Sequence, residues 1–253
     1  SGEARLNSAY GFDFLYAQQL TPAVVAQALG QWPDAPDIGW PSWAFENHDA
    51  PRALSRWCAP DQRDAFARLK VTLLASLRGN IIVYQGEELG LTQVDIPFEQ
   101  LQDPEAIANW PLTLARDGAR TPLPWQAQSE QGGFTTSAAP WLPLGEENMA
   151  KAVDRQDSDP ASLLNLTRTL LALRHQTPAL RNGACEVVLA DEARLVLRRR
   201  SGAETVLAAF NLSAGEAAWP EGLTTSSTPI FAVNGAEPGR LPAFGAVLIR
   251  ESN

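Results

Sequence analysis

The chain has 253 residues, a formal charge of −9, and 45% hydrophobic and 19% charged residues: a globular composition with room for one large domain or two ordinary ones. The acidic balance argues against a nucleic-acid partner, which needs Lys and Arg concentrated on one surface, and no apolar run reaches the roughly 20 residues of a transmembrane helix. Two distant cysteines, Cys58 and Cys185, support neither a disulfide framework nor a zinc cluster, and they fit a reducing compartment; a cytoplasmic setting and no cofactor are expected.

In chain order, Ser1 to Arg5 is no signal peptide and reads like a segment cut from something longer. Aromatic-rich Ala9 to Tyr16 predicts a strand. Thr21-Pro22 predicts a capped helix start, running over Ala23 to Gln31 and stopped by Trp32-Pro33. Ser42 to Glu46 predicts a second strand, and Asp61 to Leu77 a helix with Phe66, Leu69, Leu73 and Leu77 on one face and Gly79 just past its end. Asn80 to Tyr84 predicts a buried parallel strand. This strand–helix alternation is the rhythm of a parallel α/β fold, whose sites lie after the strands.

From Thr92 to Pro160 periodicity is weak, but Trp110, Trp125 and Trp141 predict an ordered excursion. Trp125, Trp141 and Phe134 read first as buried packing and second as stacking faces for a ligand. Asp159-Pro160 opens a helix over Ala161 to His175. Beyond Arg181-Asn182-Gly183, short strands are predicted at Cys185–Leu189, Arg194–Arg200, Thr205–Leu212, Thr228–Val233 and Gly245–Arg250. The basic run Arg198-Arg199-Arg200 reads as a solvated strand edge.

The chemistry-bearing feature is Asn47-His48-Asp49 with Arg52, where the second strand runs out into a loop. An imidazole that donates beside a carboxylate that accepts suits a polyhydroxylated ligand. The bland reading is a turn cap, because Asn and Asp favour turns and adjacent strand residues face opposite ways. Glu87 and Glu88 form a carboxylate pair after the third strand and read as structural hydrogen bonders.

Three stretches then carry a resemblance. Phe45 to Arg52, Val83 to Gly90 and Arg116 to Trp125 together resemble the bacterial α-glucosidases and oligo-1,6-glucosidases of glycoside hydrolase family 13, the α-amylase family. The resemblance implies an α/β fold: the carboxyl-terminal portion of a (β/α)8 TIM barrel, strands six to eight, followed by a small antiparallel β-sandwich. Residues 1–180 would be the partial catalytic barrel, with a long insertion around 92–160, and 181–253 the terminal β domain. It implies retaining, exo-acting hydrolysis of terminal α-linked glucose from short oligosaccharides. Asp49 would be the carboxylate that steadies the oxocarbenium-like state, His48 a donor to the same ring, and Arg120 the group holding the non-reducing end. Arg120 otherwise reads as a salt bridge, for instance to Asp117, and Arg52 reads either as a substrate-binding wall of the cleft or as a structural pair.

The family's nucleophile and general acid fall on motifs that this sequence does not contain. The expected partners are therefore an oligosaccharide or α-glucoside substrate and the amino-terminal half of the barrel, on the same or another chain; alone the chain is expected to be inactive. A transglucosidase or sucrose isomerase of the same subfamily, and a non-catalytic scaffold like the transporter heavy chains, are the competing readings.

Overall fold

The computed structural model describes residues 7–32 and 39–251. The readings of Ser1 to Arg5 and of Pro33 as a helix stop lie outside them. Two compact units are present: one made of residues 1–44, 64–82 and 168–253, the other of 45–63 and 83–167.

The first unit holds both sheets. Strands β1 (Ser8–Gly11), β2 (Trp40–Ala44) and β3 (Asn80–Ile82) form a parallel sheet in the order β1-β2-β3. Trp43 anchors its centre, its side chain fully buried against Phe14 and its indole N–H donating to Arg78 O at 2.7 Å. Gly79 has a positive φ, and a Cβ there would overlap the backbone of Pro41, so only glycine lets β3 approach β2 at this point. The first strand is shorter than its aromatic run suggests, because Asp13–Tyr16 coils into one helical turn. The third strand is parallel as expected but not buried: Ile82 is 37% exposed, and among the described residues β1 and β3 each pair with one neighbour only.

The helix Pro22–Gly30 begins as predicted, with the Thr21 hydroxyl accepting from Val24 N and proline in the first turn. The helix Arg63–Ser76 is buried almost all round, which its apolar face alone did not indicate. Its last carbonyls are met by two guanidiniums. Arg174 donates to Ala75 O, Leu77 O and Gly79 O at 2.6–3.0 Å, and Arg199 donates to Ser76 O at 2.7 Å. Burial, with Arg199 nearby, pushes Arg174 down to about 10.

Five terminal strands, β4 (Ala184–Ala190), β5 (Arg194–Ser201), β6 (Glu204–Asn211), β7 (Pro229–Val233) and β8 (Ala246–Arg250), pair antiparallel in the order β4-β5-β6-β8-β7. They form one sheet, not the two layers of the expected sandwich. One face buries Val196, Leu207, Ala209, Val247 and Ile249 against Leu241 and Ala236, with Trp219 and Leu223 packed on the cluster. The basic run is likewise not a solvated edge. Strand β5 lies inside the sheet, and Arg199 is fully buried because unpaired helix-end and turn carbonyls need donors there.

The second unit contains the excursion, which is ordered through short helical turns and small apolar clusters. Ile96, Leu101, Ala106 and Leu142 make one, and Leu89, Leu91 and Leu164 another. Buried Asn148 exchanges hydrogen bonds with the backbone of Thr92 in both directions, pinning distant parts of the excursion together. The helix Leu163–Gln176 opens at Ser162, whose hydroxyl accepts from Asn165 N, rather than at Asp159. Trp125, Trp141 and Phe134 are about half exposed or more, so the packing reading of these three aromatics is corrected. No helix among the described residues is long and apolar enough to cross a membrane.

Candidate active site

The site starts from a turn. Asn47 Oδ1 accepts the Asp49 backbone N–H at 2.9 Å, an Asx turn that bends the chain just past β2 in the sequence. The bend removes the strand alternation that would have sent neighbours to opposite faces. His48 and Asp49 emerge together, 66% and 51% exposed, with His48 Nε2 3.4 Å from Asp49 Oδ2.

Two arginines converge on the other carboxylate oxygen. Arg120 Nη2 donates to Asp49 Oδ1 at 3.1 Å, and Arg116 Nη1 lies 3.4 Å from the same atom. Arg120 Nε also donates to His48 O at 2.8 Å, so one guanidinium fixes both residues of the turn. Both arginines are themselves held from below. Buried Asp103 takes Arg116 in a fork, Nε to Oδ2 at 2.6 Å and Nη2 to Oδ1 at 2.7 Å, and stands 3.7 Å from Arg120 Nη1. The Arg116 hydrogen bonds hold the Asp103 carboxyl below the usual carboxylate range, and Asp103 in turn pushes the Arg116 guanidinium up. Asp117 Oδ2 accepts the backbone N–H groups of Gln102 and Asp103, which sets Asp103 in place.

Arg52 belongs to the framework beneath this surface. It is fully buried and meets Glu46, also buried, at 3.2 Å. It donates further to Gln85 O and Ala119 O and lies 4.7 Å over the Tyr84 ring. One side chain thus ties the turn to the segments carrying Gln85 and Arg120. Its Nη1 and Nη2 donate to protein acceptors and the side chain is fully buried, which favours the structural-pair reading of Arg52 over the substrate wall. Glu87 is buried and accepts Tyr84 N at 3.1 Å, as a structural residue would. Burial raises the Glu88 carboxyl.

The structure therefore brings His48, Asp49 and Arg120 to one surface and leaves Arg52 below it. Arg120 also stands 3.9 Å from Asp117, so its salt-bridge reading and its place beside Asp49 coexist. Sequence reasoning missed Asp103 as a member of the cluster. Its signal was the Asp103-Pro104 pair opening the helix Pro104–Asn109, which reads as a cap and does cap, Oδ1 accepting from Glu105 N. As a chemical unit, the cluster offers a half-exposed carboxylate oriented by two cations, with an imidazole donor beside it: an acceptor and a donor side by side for a hydroxyl-rich ring.

Residues 10–183 match the family described as alpha amylase, catalytic domain. The chain is 43% identical over 214 residues to a probable alpha-glucosidase of Rhizobium meliloti (strain 1021), covering 84% of this chain and 38% of that protein. It is 34% identical over 213 residues to an oligo-1,6-glucosidase of Heyndrickxia coagulans, covering 74% of this chain and 37% of that one. The crystal structure of the alpha-glucosyl transfer enzyme XgtA superposes with a TM-score of 0.87 at 38% identity, over 99% of this chain and 47% of that chain. The chain thus spans under half the length of each of these three proteins. With the family match running across the Asn47-His48-Asp49 turn and the Arg116 to Arg120 segment, the chain belongs to the α-amylase family, glycoside hydrolase family 13.

Proposed function

We propose that this chain supplies the sugar-holding part of a retaining, exo-acting α-glucosidase that removes terminal α-linked glucose from short oligosaccharides. The observation that carries the reading is the half-exposed Asp49 carboxylate clamped by Arg120 and Arg116 beside His48. In this reading Asp49 accepts hydroxyls of the reacting glucose and stabilises the positive charge that develops at its anomeric carbon. His48 donates to the same ring, and Arg120 orients Asp49 and meets the non-reducing end. Arg52 is a positioning residue. Residues 1–180 are the barrel portion, strands six to eight, and 181–253 the terminal β domain.

Cleavage needs a nucleophile and a general acid in addition to Asp49. The remaining barrel strands are proposed to bring them, on this or another polypeptide; that β1 and β3 each have one partner among the described residues supports this. Cys58 and Cys185 are not joined in a disulfide, which fits the reducing, cytoplasmic setting proposed. Purified chain should release no p-nitrophenol from the p-nitrophenyl α-glucoside, and turnover by the 253 residues alone would overturn this division of roles.

A second reading is transfer of the glucosyl group to a sugar acceptor, as in a transglucosidase or sucrose isomerase. The likeness to the XgtA structure favours it. The two differ in the fate of the glucosyl unit, so product analysis with sucrose separates them.

A further inference from the structure

We infer that Asp103 is a positioning residue of the proposed reaction: it balances the charge of Arg116 and keeps that guanidinium from closing over Asp49. The inference rests on the reading of Asp49 as the carboxylate that steadies the positive charge of the reacting glucose.

Asp49 divides its oxygens. Oδ1 accepts from Arg120 Nη2 at 3.1 Å and meets Arg116 Nη1 at 3.4 Å. Among the described residues Oδ2 has no donor closer than His48 Nε2, 3.4 Å away, and the side chain is 51% exposed, so Oδ2 is the atom left to a ligand. A guanidinium favours a carboxylate in a two-bond fork, and Arg116 would close both oxygens if it took Asp49 that way. Buried Asp103 prevents this. It occupies Arg116 Nε and Nη2 in a fork of its own, at 2.6 and 2.7 Å, and leaves only Nη1 to Asp49.

Charge gives the second reason. Two guanidiniums on one carboxylate leave an excess positive charge beside the place where the glucosyl cation forms, and like charge there raises the barrier. Asp103 cancels that excess. The Arg116 hydrogen bonds hold its carboxyl below the usual range, so it stays ionised at neutral pH. The other nearby carboxylates are committed elsewhere. Asp117 stands 3.9 Å from Arg120 and gives its Oδ2 to the backbone of Gln102 and Asp103; Glu105 accepts from Asn109, Thr113 and Leu114. A helix cap alone needs no such charge: Asp103 Oδ1 accepts Glu105 N at 3.1 Å, a bond that asparagine makes equally well.

The test compares two ligands on the chain at pH 6. 1-Deoxynojirimycin is a glucose-shaped piperidine whose protonated nitrogen carries the charge that the transition state develops; glucose is its neutral counterpart. Binding of each is followed at the imidazole resonances of His48, resolvable because the chain has two histidines, with thermal melts to confirm folding of every variant. The unaltered chain should prefer the cation about tenfold, and Asp49→Asn should lose that preference. Asp103→Asn should lower it about fivefold, and Asp103→Asn combined with Arg116→Gln should restore it, because the excess cation is then gone. A preference in Asp103→Asn within about twofold of the unaltered chain, or a double variant no better than Asp103→Asn, overturns the inference. If Asp103→Asn does not fold, Arg116→Gln alone decides: it removes a cation and should raise the preference, and an unchanged or lower value overturns the inference. Dependence on Asp49 without dependence on Asp103 sinks this inference only; an unaltered chain with no preference for the cation sinks the reading of Asp49 as well.

Discussion

Asp103 shows how much of the Asp49 cluster depends on a residue that lies beneath it. Its carboxylate holds Arg116 in a fork and stands behind Arg120, so both cations that orient Asp49 rest on it. Arg116 holds the Asp103 pKa below the ordinary 3.8, so the native state binds the proton less readily than the unfolded chain. The stability this contributes is fully present above that ordinary value and is lost as pH falls below it through the native pKa. Asp103→Asn should therefore cost about 2 kcal/mol near pH 6, and urea unfolding should show the gap to the unaltered protein narrowing progressively as pH falls below 3.8. A gap independent of pH would mean that Asp103 acts only as a helix cap. The Asn47-His48-Asp49 turn was legible in the sequence because an Asx turn is local: donor and acceptor sit two residues apart. The fork on Arg116 was not, since it spans thirteen positions without periodicity. The role of Arg52 stayed open because a guanidinium serves equally well in a cleft wall and in a buried framework, and only burial separates the two.

Among the elements, all five terminal strands were readable, because turn residues divide short runs rich in β-branched and apolar side chains. Two signals misled. Aromatics that predicted a longer first strand instead make a helical turn, where Phe12 and Tyr16 stack at 5.9 Å, four residues apart on one side. Three consecutive arginines read as solvent-facing, yet strand alternation turns Arg199 inward while Arg198 meets Glu186 and Glu251. Arg199 gathers Ser76 O, Gly183 O and Ala184 O, so Arg199→Met should strand those carbonyls and cost about 3 kcal/mol by chemical denaturation. A cost under about 0.5 kcal/mol would show that water replaces the guanidinium there. Gly118 sets a comparable local limit in the second unit: a Cβ would overlap Val94 O and the Gln93 amide, so the arginine-bearing segment needs glycine at that point.

For the whole molecule, the parallel sheet is the element whose edges bear on assembly. Strands β1 and β3 each have one partner among the described residues, and Ile82 lies open on β3. Such edges and apolar surface recruit other polypeptide. In isolation the chain should bind a hydrophobic dye and elute from size exclusion as more than a 27.4 kDa monomer, whereas a monodisperse monomer silent to the dye would mean that the sheet is complete as it stands.

The relatives that match this chain extend well beyond it, which makes a chimera the most direct measurement. This chain would replace the corresponding 38% of the Rhizobium meliloti relative, and hydrolysis of p-nitrophenyl α-glucoside would be compared with and without Asp49→Asn. The account predicts turnover in the chimera and a loss of at least about 100-fold in kcat/KM on the substitution. A chimera that folds but does not turn over, or an Asp49→Asn chimera within a few-fold of its parent, would contradict it.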